Sequence, residues 1–306
     1  MERNALVIVN PVAHNLPSRR RLEEVRETLE AGGWQTEWRE TEWPGHARHL
    51  AAAAAERAVS LVLVCGGDGT LREAACGLAG TETALAPIPA GTVNIWAREM
   101  GFPLRAEAAA RAALEGERRR VDLGRAGDEH FLLMAGFGLD GQIARTVSLR
   151  LKRRLGAAAY ALAAIREALR WRGRPLRVEA DGELVEARAL MLVAANVRNY
   201  AGLVDVAPLA LVDDGRLDLC LFQGEGLAGT VLHVLRVLLR RHLRSSRVLY
   251  RQARRLRLEW EQPLPLQLDG DAMVKSPPVV EVCPAALWAV VPRGRRPRVL
   301  TGPLAR

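Results

Sequence analysis

The chain has 306 residues, 49% of them apolar and 26% charged, so it can build a core large enough for two domains. A formal net charge of +9 favours anionic partners, whether nucleotide phosphates, nucleic acid or an acidic membrane surface. Lys152 and Lys275 are the only lysines, which excludes a P-loop lysine and the strand lysine of a protein kinase from the N-terminal region.

An apolar run at 5–9 ends in Asn10-Pro11, and the spacing of Leu22, Val25 and Leu29 predicts a helix over 19–31 that stops at Gly32-Gly33. Residues 34–39 read as a second strand, and Thr41 leads through Pro44-Gly45 into an alanine-rich helix over 46–58. A buried strand at 61–65 stops at Gly66-Gly67-Asp68-Gly69, with a helix from Thr70 to Leu78. A fourth strand at 83–88 runs into Pro89-Ala90-Gly91-Thr92, which opens a helix through Arg98. A helix at 104–115 and a strand at 118–123 follow. This alternation predicts a parallel sheet covered on both faces, with the loops after residues 9, 65 and 88 along one edge.

The pattern changes after residue 124. Strands are expected at 131–137, 176–179, 187–195, 217–222, 255–260, 264–268 and 279–282, joined by turns such as Asp181-Gly182, Asp214-Gly215 and Asp269-Gly270. Helices are expected near 154–171 and 227–241. The reading is an α/β domain over 1–124 and an antiparallel, sandwich-like β-rich domain over 125–292, with the tail 293–306 able to return to the first.

Glycines at 66, 67 and 69 permit close backbone approach, and a strand, a tight turn and a helix N-terminus gather N–H groups around one point, as proteins do for phosphate. Asp68 stands where a phosphate-bound divalent cation would be. The same turn also serves as a plain strand-to-helix connection. Asn10 can equally be a strand terminator, and Thr41 and Thr92 helix caps. Cys65, Cys76, Cys220 and Cys283 are far apart in apolar contexts and read as buried free thiols, and the six histidines form no zinc pattern. No apolar run approaches the ~20 residues of a membrane span, so a cytoplasmic protein is expected. Arginine alternates with leucine and valine over 150–154 and 236–257, which suits an interfacial face or a solvated one. Nucleic acid has no motif in its favour beyond charge.

Gly66-Gly67-Asp68-Gly69-Thr70 with Glu73, then Pro89-Ala90-Gly91-Thr92-Val93-Asn94-Ile95-Trp96-Ala97-Arg98-Glu99, resembles the catalytic domain of the diacylglycerol kinase and sphingosine kinase family, notably its soluble bacterial members. Gly136-Phe137-Gly138-Leu139-Asp140, Asn199-Tyr200-Ala201-Gly202 and Asp213-Asp214-Gly215-Arg216-Leu217-Asp218 extend the resemblance over nearly the whole chain. It implies an NAD kinase/diacylglycerol kinase-like fold and an ATP- and magnesium-dependent lipid kinase. Asn10, Pro11, Thr41, Gly66, Gly67, Asp68, Gly69, Thr70, Glu73, Gly91, Thr92 and Asn94 would contact nucleotide, with Asp68 also serving catalysis. Asp214, with the carbonyls of Leu211 and Arg216, would hold a structural magnesium, although Asp213-Asp214-Gly215 also reads as a simple turn.

The family's base is a glutamate directly after Asp-Gly. Here Leu268-Asp269-Gly270-Asp271 offers the shorter Asp271, in what is otherwise an ordinary hairpin turn. The acceptor would be a lipid at an anionic surface on the inner face of the membrane, with a homodimer left open by dimers in similar proteins. An NAD kinase and a non-catalytic nucleotide or lipid sensor remain as alternatives.

Overall fold

The computed structural model describes residues 3–146, 166–295 and 297–302. The chain divides into two units. One comprises Met1–Leu123, Leu211–Asp214 and Cys283–Arg306, the other Gly124–Ala210 and Gly215–Val282.

In the first unit β1 (Asn4–Val9), α1 (Arg19–Ala31), β2 (Gln35–Glu40), α2 (His46–Glu56), β3 (Leu61–Gly66), α3 (Asp68–Leu78), β4 (Ala84–Pro89), α4 (Ile95–Glu99) and α5 (Ala106–Glu115) follow one another. The strands lie in the order β2-β1-β3-β4, all parallel. Every residue of β3 and β4 is buried, which is why these strands read as unbroken apolar runs rather than alternating ones. β2, at the sheet edge, is polar and partly exposed. Gly77 lets α2 and α3 pack backbone to backbone, since a Cβ there would lie 2.3 Å from the Arg48 carbonyl oxygen. Helix α3 starts at Asp68 rather than Thr70, so Asp68 and Gly69 belong to the first helical turn, while Gly66 ends β3 and Gly67 is the cap.

Chain order alone assigned 211–214 and 283–292 to the β-rich region, whereas contacts place both in the first unit. Val212 receives the Asp122 N–H at 2.6 Å from β5 (Glu117–Ala126) and donates its own N–H to the Val299 carbonyl at 2.7 Å. Residues 288 and 289 pair in parallel with β4. Both attachments are long-range pairings that no local pattern encodes.

The second unit contains β6 (Glu129–Phe131), β7 (Met134–Gly138), α6 (Leu139–Thr146), β8 (Arg174–Ala180), β9 (Glu183–Ala195), β10 (Asn199–Tyr200), β11 (Val204–Asp205), β12 (Leu217–Gln223), α7 (Gly226–Leu238), β13 (Val248–Ala253), β14 (Arg255–Glu259), β15 (Leu266–Leu268), β16 (Asp271–Ala272) and the start of β17 (Val279–Val291). Its strand pairs are antiparallel. The long β9 serves two layers. Residues 183–189 pair with β8, and residues 191–195 lie between β7 and β12. Phe131, Phe137, Leu192, Leu219, Leu256 and Leu266 meet in the core between these layers.

The strand expected at 131–137 is two, β6 and β7, broken at residues 132–133. β13 was not expected, because Arg251 and Gln252 hide its period within an arginine-rich tract. Of the helix expected at 154–171, residues 147–165 lie outside the described residues and 166–170 are helical. Among the described residues no helix is long and apolar enough to cross a membrane.

Candidate functional site

Parallel pairing brings the carboxyl ends of β1, β2, β3 and β4 to one edge. The residue after β1, after β2 and after β4 is tied to the neighbouring strand: Asn10 N–H to Cys65 O at 2.9 Å, Thr41 N–H to Val9 O at 2.9 Å, and Ala90 N–H to Gly66 O at 2.9 Å. The two glycine loops then touch. A Cβ on Gly91 would lie 2.6 Å from the Gly67 Cα, and one on Gly67 3.3 Å from the Gly91 Cα. A Cβ on Gly66 would lie 2.9 Å from that of Thr70. Glycine is therefore required here for contact between loops as well as for any ligand.

Beside this contact lie the first N–H groups of α3, capped by the backbone of Gly67 with no side-chain cap bond. First-turn N–H groups have no partner within their own helix and carry the positive end of its dipole, so anionic oxygens are the natural occupant. Nearby, a groove of about 610 Å³ is lined by Ser18, Gly91, Thr92, Arg21, Arg98 and Arg105 among others. Sequence reading gave no role to these arginines, since only the folded chain gathers α1, α4 and α5 around the groove. Arg98 donates to the Val93 carbonyl at 2.8 Å and braces the loop.

Asp68 is more committed than its place in the motif suggests. Its Oδ2 accepts the Ile95 N–H at 2.9 Å and its Oδ1 the Trp96 N–H at 3.1 Å, so it caps α4 from another helix. Asn94 holds a left-handed backbone (φ 55°), receives the Gly91 N–H on Oδ1 at 2.8 Å and returns a bond to the Gly91 carbonyl at 2.9 Å. Asn10 donates to Thr70 Oγ1 at 2.9 Å and accepts the Val12 N–H at 3.1 Å. Glu73 accepts the Ala47 N–H at 3.3 Å in the first turn of α2. These side chains shape the loops from within, while Pro11 and Thr92 are exposed and Thr41 is half-buried. Burial pushes the Cys65 thiol up to about 12, so it stays protonated and is no nucleophile.

Among the described residues no three His, Cys, Asp or Glu side chains cluster as a metal cage. Magnesium needs none when phosphate oxygens and water complete its shell around one carboxylate, and Asp68 supplies a carboxylate at the start of α3. The donor set therefore fits a phosphate-bound magnesium. Asp213 accepts the Thr301 N–H at 2.7 Å and hydroxyl at 2.9 Å. Leu211 and Asp214 belong to the first unit, Arg216 to the second.

We expect Gly91→Ala to destabilise the protein by about 1–3 kcal/mol through forced separation of the loops. Urea unfolding reads this directly, and nucleotide affinity should fall with it.

In the second unit Asp271 faces Leu268 across the β15–β16 hairpin. The turn residues Asp269 (φ 51°) and Gly270 (φ 89°) are both left-handed, as a two-residue hairpin turn of this type demands. The Asp269 carboxylate accepts the N–H groups of Leu132, Leu133 and Met134 at 2.7, 2.8 and 2.9 Å, which anchors the turn to the start of β7. Gly270 donates to Gln267 Oε1 at 2.6 Å, and Gln267 donates to Asp140 Oδ2 at 2.8 Å. The Tyr200 hydroxyl donates to the other Asp140 oxygen. Burial raises the Asp140 carboxyl, opposed in part by the bonds from Tyr200 and Gln267. Gly136 makes room for this carboxylate, since a Cβ there would overlap Asp140 Oδ2. Asp140 and Tyr200 lie in two separate motifs of the sequence, and only the fold brings them together beneath the hairpin.

Two family models match in succession: the diacylglycerol kinase catalytic domain over residues 4–126, and the YegS C-terminal NAD kinase beta sandwich-like domain over residues 134–291. The chain is 29% identical over 272 residues to the diacylglycerol kinase of Bacillus subtilis, covering 88% of this chain and 90% of that one. It is 34% identical over 273 residues to a Pseudomonas putida protein named "Probable lipid kinase YegS-like", covering 87% and 88%. A crystal structure of a diacylglycerol kinase from Bacillus anthracis superposes with a TM-score of 0.80 at 26% identity, covering 95% of this chain and 98% of that one.

Proposed function

The chain belongs to the diacylglycerol kinase and YegS-like lipid kinase family, and from that membership we propose that it moves the γ-phosphate of ATP to the hydroxyl of a lipid such as diacylglycerol or a sphingoid lipid. The observation that carries this reading is the contact of Gly67 with Gly91 beside the N-terminus of α3, a cradle of backbone N–H groups without side chains.

In this reading Gly66, Gly67, Gly69 and Gly91 let the ATP phosphates approach the backbone. Asn10, Pro11, Thr41, Thr70, Glu73, Thr92 and Asn94 frame that surface, and Asp68 supplies one carboxylate to the magnesium that offsets phosphate charge. Asp214 and the carbonyls of Leu211 and Arg216 are the proposed structural magnesium ligands. Asp271 orients the lipid hydroxyl and takes its proton as the oxygen bonds to phosphorus and ADP departs. The protein would act from the cytoplasm at the inner face of the membrane, where the lipid is presented.

The test is transfer of labelled γ-phosphate from ATP with magnesium to a panel of neutral lipids in anionic mixed micelles, with NAD as a further acceptor. Label in one lipid, lost in Asp68→Ala and Asp271→Ala, is expected. Label in NAD alone would make the protein an NAD kinase, and ATP binding without transfer to any acceptor would make it a sensor. Either result overturns the proposal.

A further inference from the structure

Helix α7 is built inside out. A surface helix normally turns its apolar stripe to the core. In α7 the only buried residue is His233, whose Nε2 bonds the Gln223 carbonyl at 2.8 Å and whose ring stands edge-on to Phe222 at 5.3 Å. Thr230 and Arg236 share that inner side, Arg236 donating to Ser245 Oγ at 2.5 Å. The outer side is apolar throughout. Leu227, Val231, Val234, Leu235 and Leu238 recur at helical spacing, and with Leu232 and the following Leu239 all are exposed, Leu238 by 59% and Leu239 by 64%. Scattered exposed leucines need no explanation, but a continuous apolar face on one helix marks an interaction surface.

Charge identifies the occupant. Between Glu225 and Glu259 the chain has no acidic residue, while Arg236, Arg240, Arg241, Arg244 and Arg247 fall on or just after the helix. The last four are exposed. A two-fold interface must be complementary to itself, and from Gly226 to Leu258 this segment supplies arginines but no acid to pair with them. An anionic bilayer instead offers acyl chains to the leucines and phosphates to the arginines.

We propose that α7 docks the protein on an anionic membrane surface, with its Leu/Val face in the boundary between headgroups and acyl chains and Arg240, Arg241, Arg244 and Arg247 on lipid phosphates. The lipid-kinase reading supplies its purpose, and the proposal deepens that reading by naming the surface that reaches the substrate.

The experiment sediments the full chain with phosphatidylcholine vesicles with and without phosphatidylglycerol. It compares the native protein, Leu235→Asp with Leu238→Asp, and Arg240→Glu with Arg241→Glu. Native protein should bind only the anionic vesicles, and each pair should weaken binding roughly ten-fold or more, with the arginine pair also flattening the salt dependence. The altered side chains are exposed, so the melting temperature should hold. Equal vesicle binding by all three proteins, or none by the native protein, overturns the proposal. A native dimer that Leu235→Asp with Leu238→Asp turns into a monomer overturns it in favour of a second copy. Transfer to a short-chain diacylglycerol dispersed without vesicles separates the two readings. It should persist in both variants, and its absence in the native protein would count against the kinase and not against docking.

Discussion

Asp68→Ala is expected to abolish phosphoryl transfer and to lower stability, whereas Asp68→Asn should abolish transfer with a much smaller loss of stability. The carboxylate holds the N–H groups of Ile95 and Trp96, the first two residues of α4. Asn94 provides no cap of its own, since its side chain is turned back on Gly91. Alanine would leave both α4 donors without their partner, at a cost of about 2 kcal/mol for charged bonds at a partly exposed site. Asparagine keeps one acceptor oxygen but loses the negative charge that a magnesium ligand needs. Urea unfolding measures the first effect and labelled transfer the second. Full transfer by the asparagine variant would leave Asp68 as a clamp between two loops and remove it from the chemistry.

Asp271→Ala is expected to lower transfer by about 10²- to 10⁴-fold, the usual worth of a positioned base, while ATP affinity and melting temperature stay at native values. The side chain is partly exposed on a two-residue strand, and the turn before it is secured by other groups. Asp269 holds three N–H groups of residues 132–134, and Gln267 ties Gly270 to Asp140. Asp269→Ala should therefore behave differently, reducing stability and transfer together because the whole hairpin loses its anchor. This contrast checks the assignment. If Asp269→Ala and Asp271→Ala fall equally in stability, Asp271 is a turn residue and the base lies elsewhere.

The short arm of Asp271 is compatible with this arrangement. An anchored hairpin fixes where the carboxylate starts, so reach depends on backbone placement as much as on one methylene. Asp140, Tyr200 and Gln267 are the residues that set that placement, and the first two come from a helix and a strand far away in sequence.

Residue patterns alone indicate the kind of element at most positions and which loops gather glycines and polar groups. Unbroken apolar runs at β1, β3 and β4 read as strands buried on both faces, and the glycines that follow β3 and β4 read as places of close approach. Only the tertiary structure decided which side chains those loops spend on themselves. Asp68, Asn94 and Glu73 cap or close neighbouring segments, bonds that run 27 residues from Asp68 to Ile95 and 26 from Glu73 to Ala47 and leave no local trace. The same holds for residues 211–214 and the second half of β17, whose partners are strands and tail segments distant in the chain. Helix α7 marks the opposite limit. Its periodicity is plain in the sequence, but a periodic stripe does not say which way it faces, and only packing through His233 turned the leucines outward.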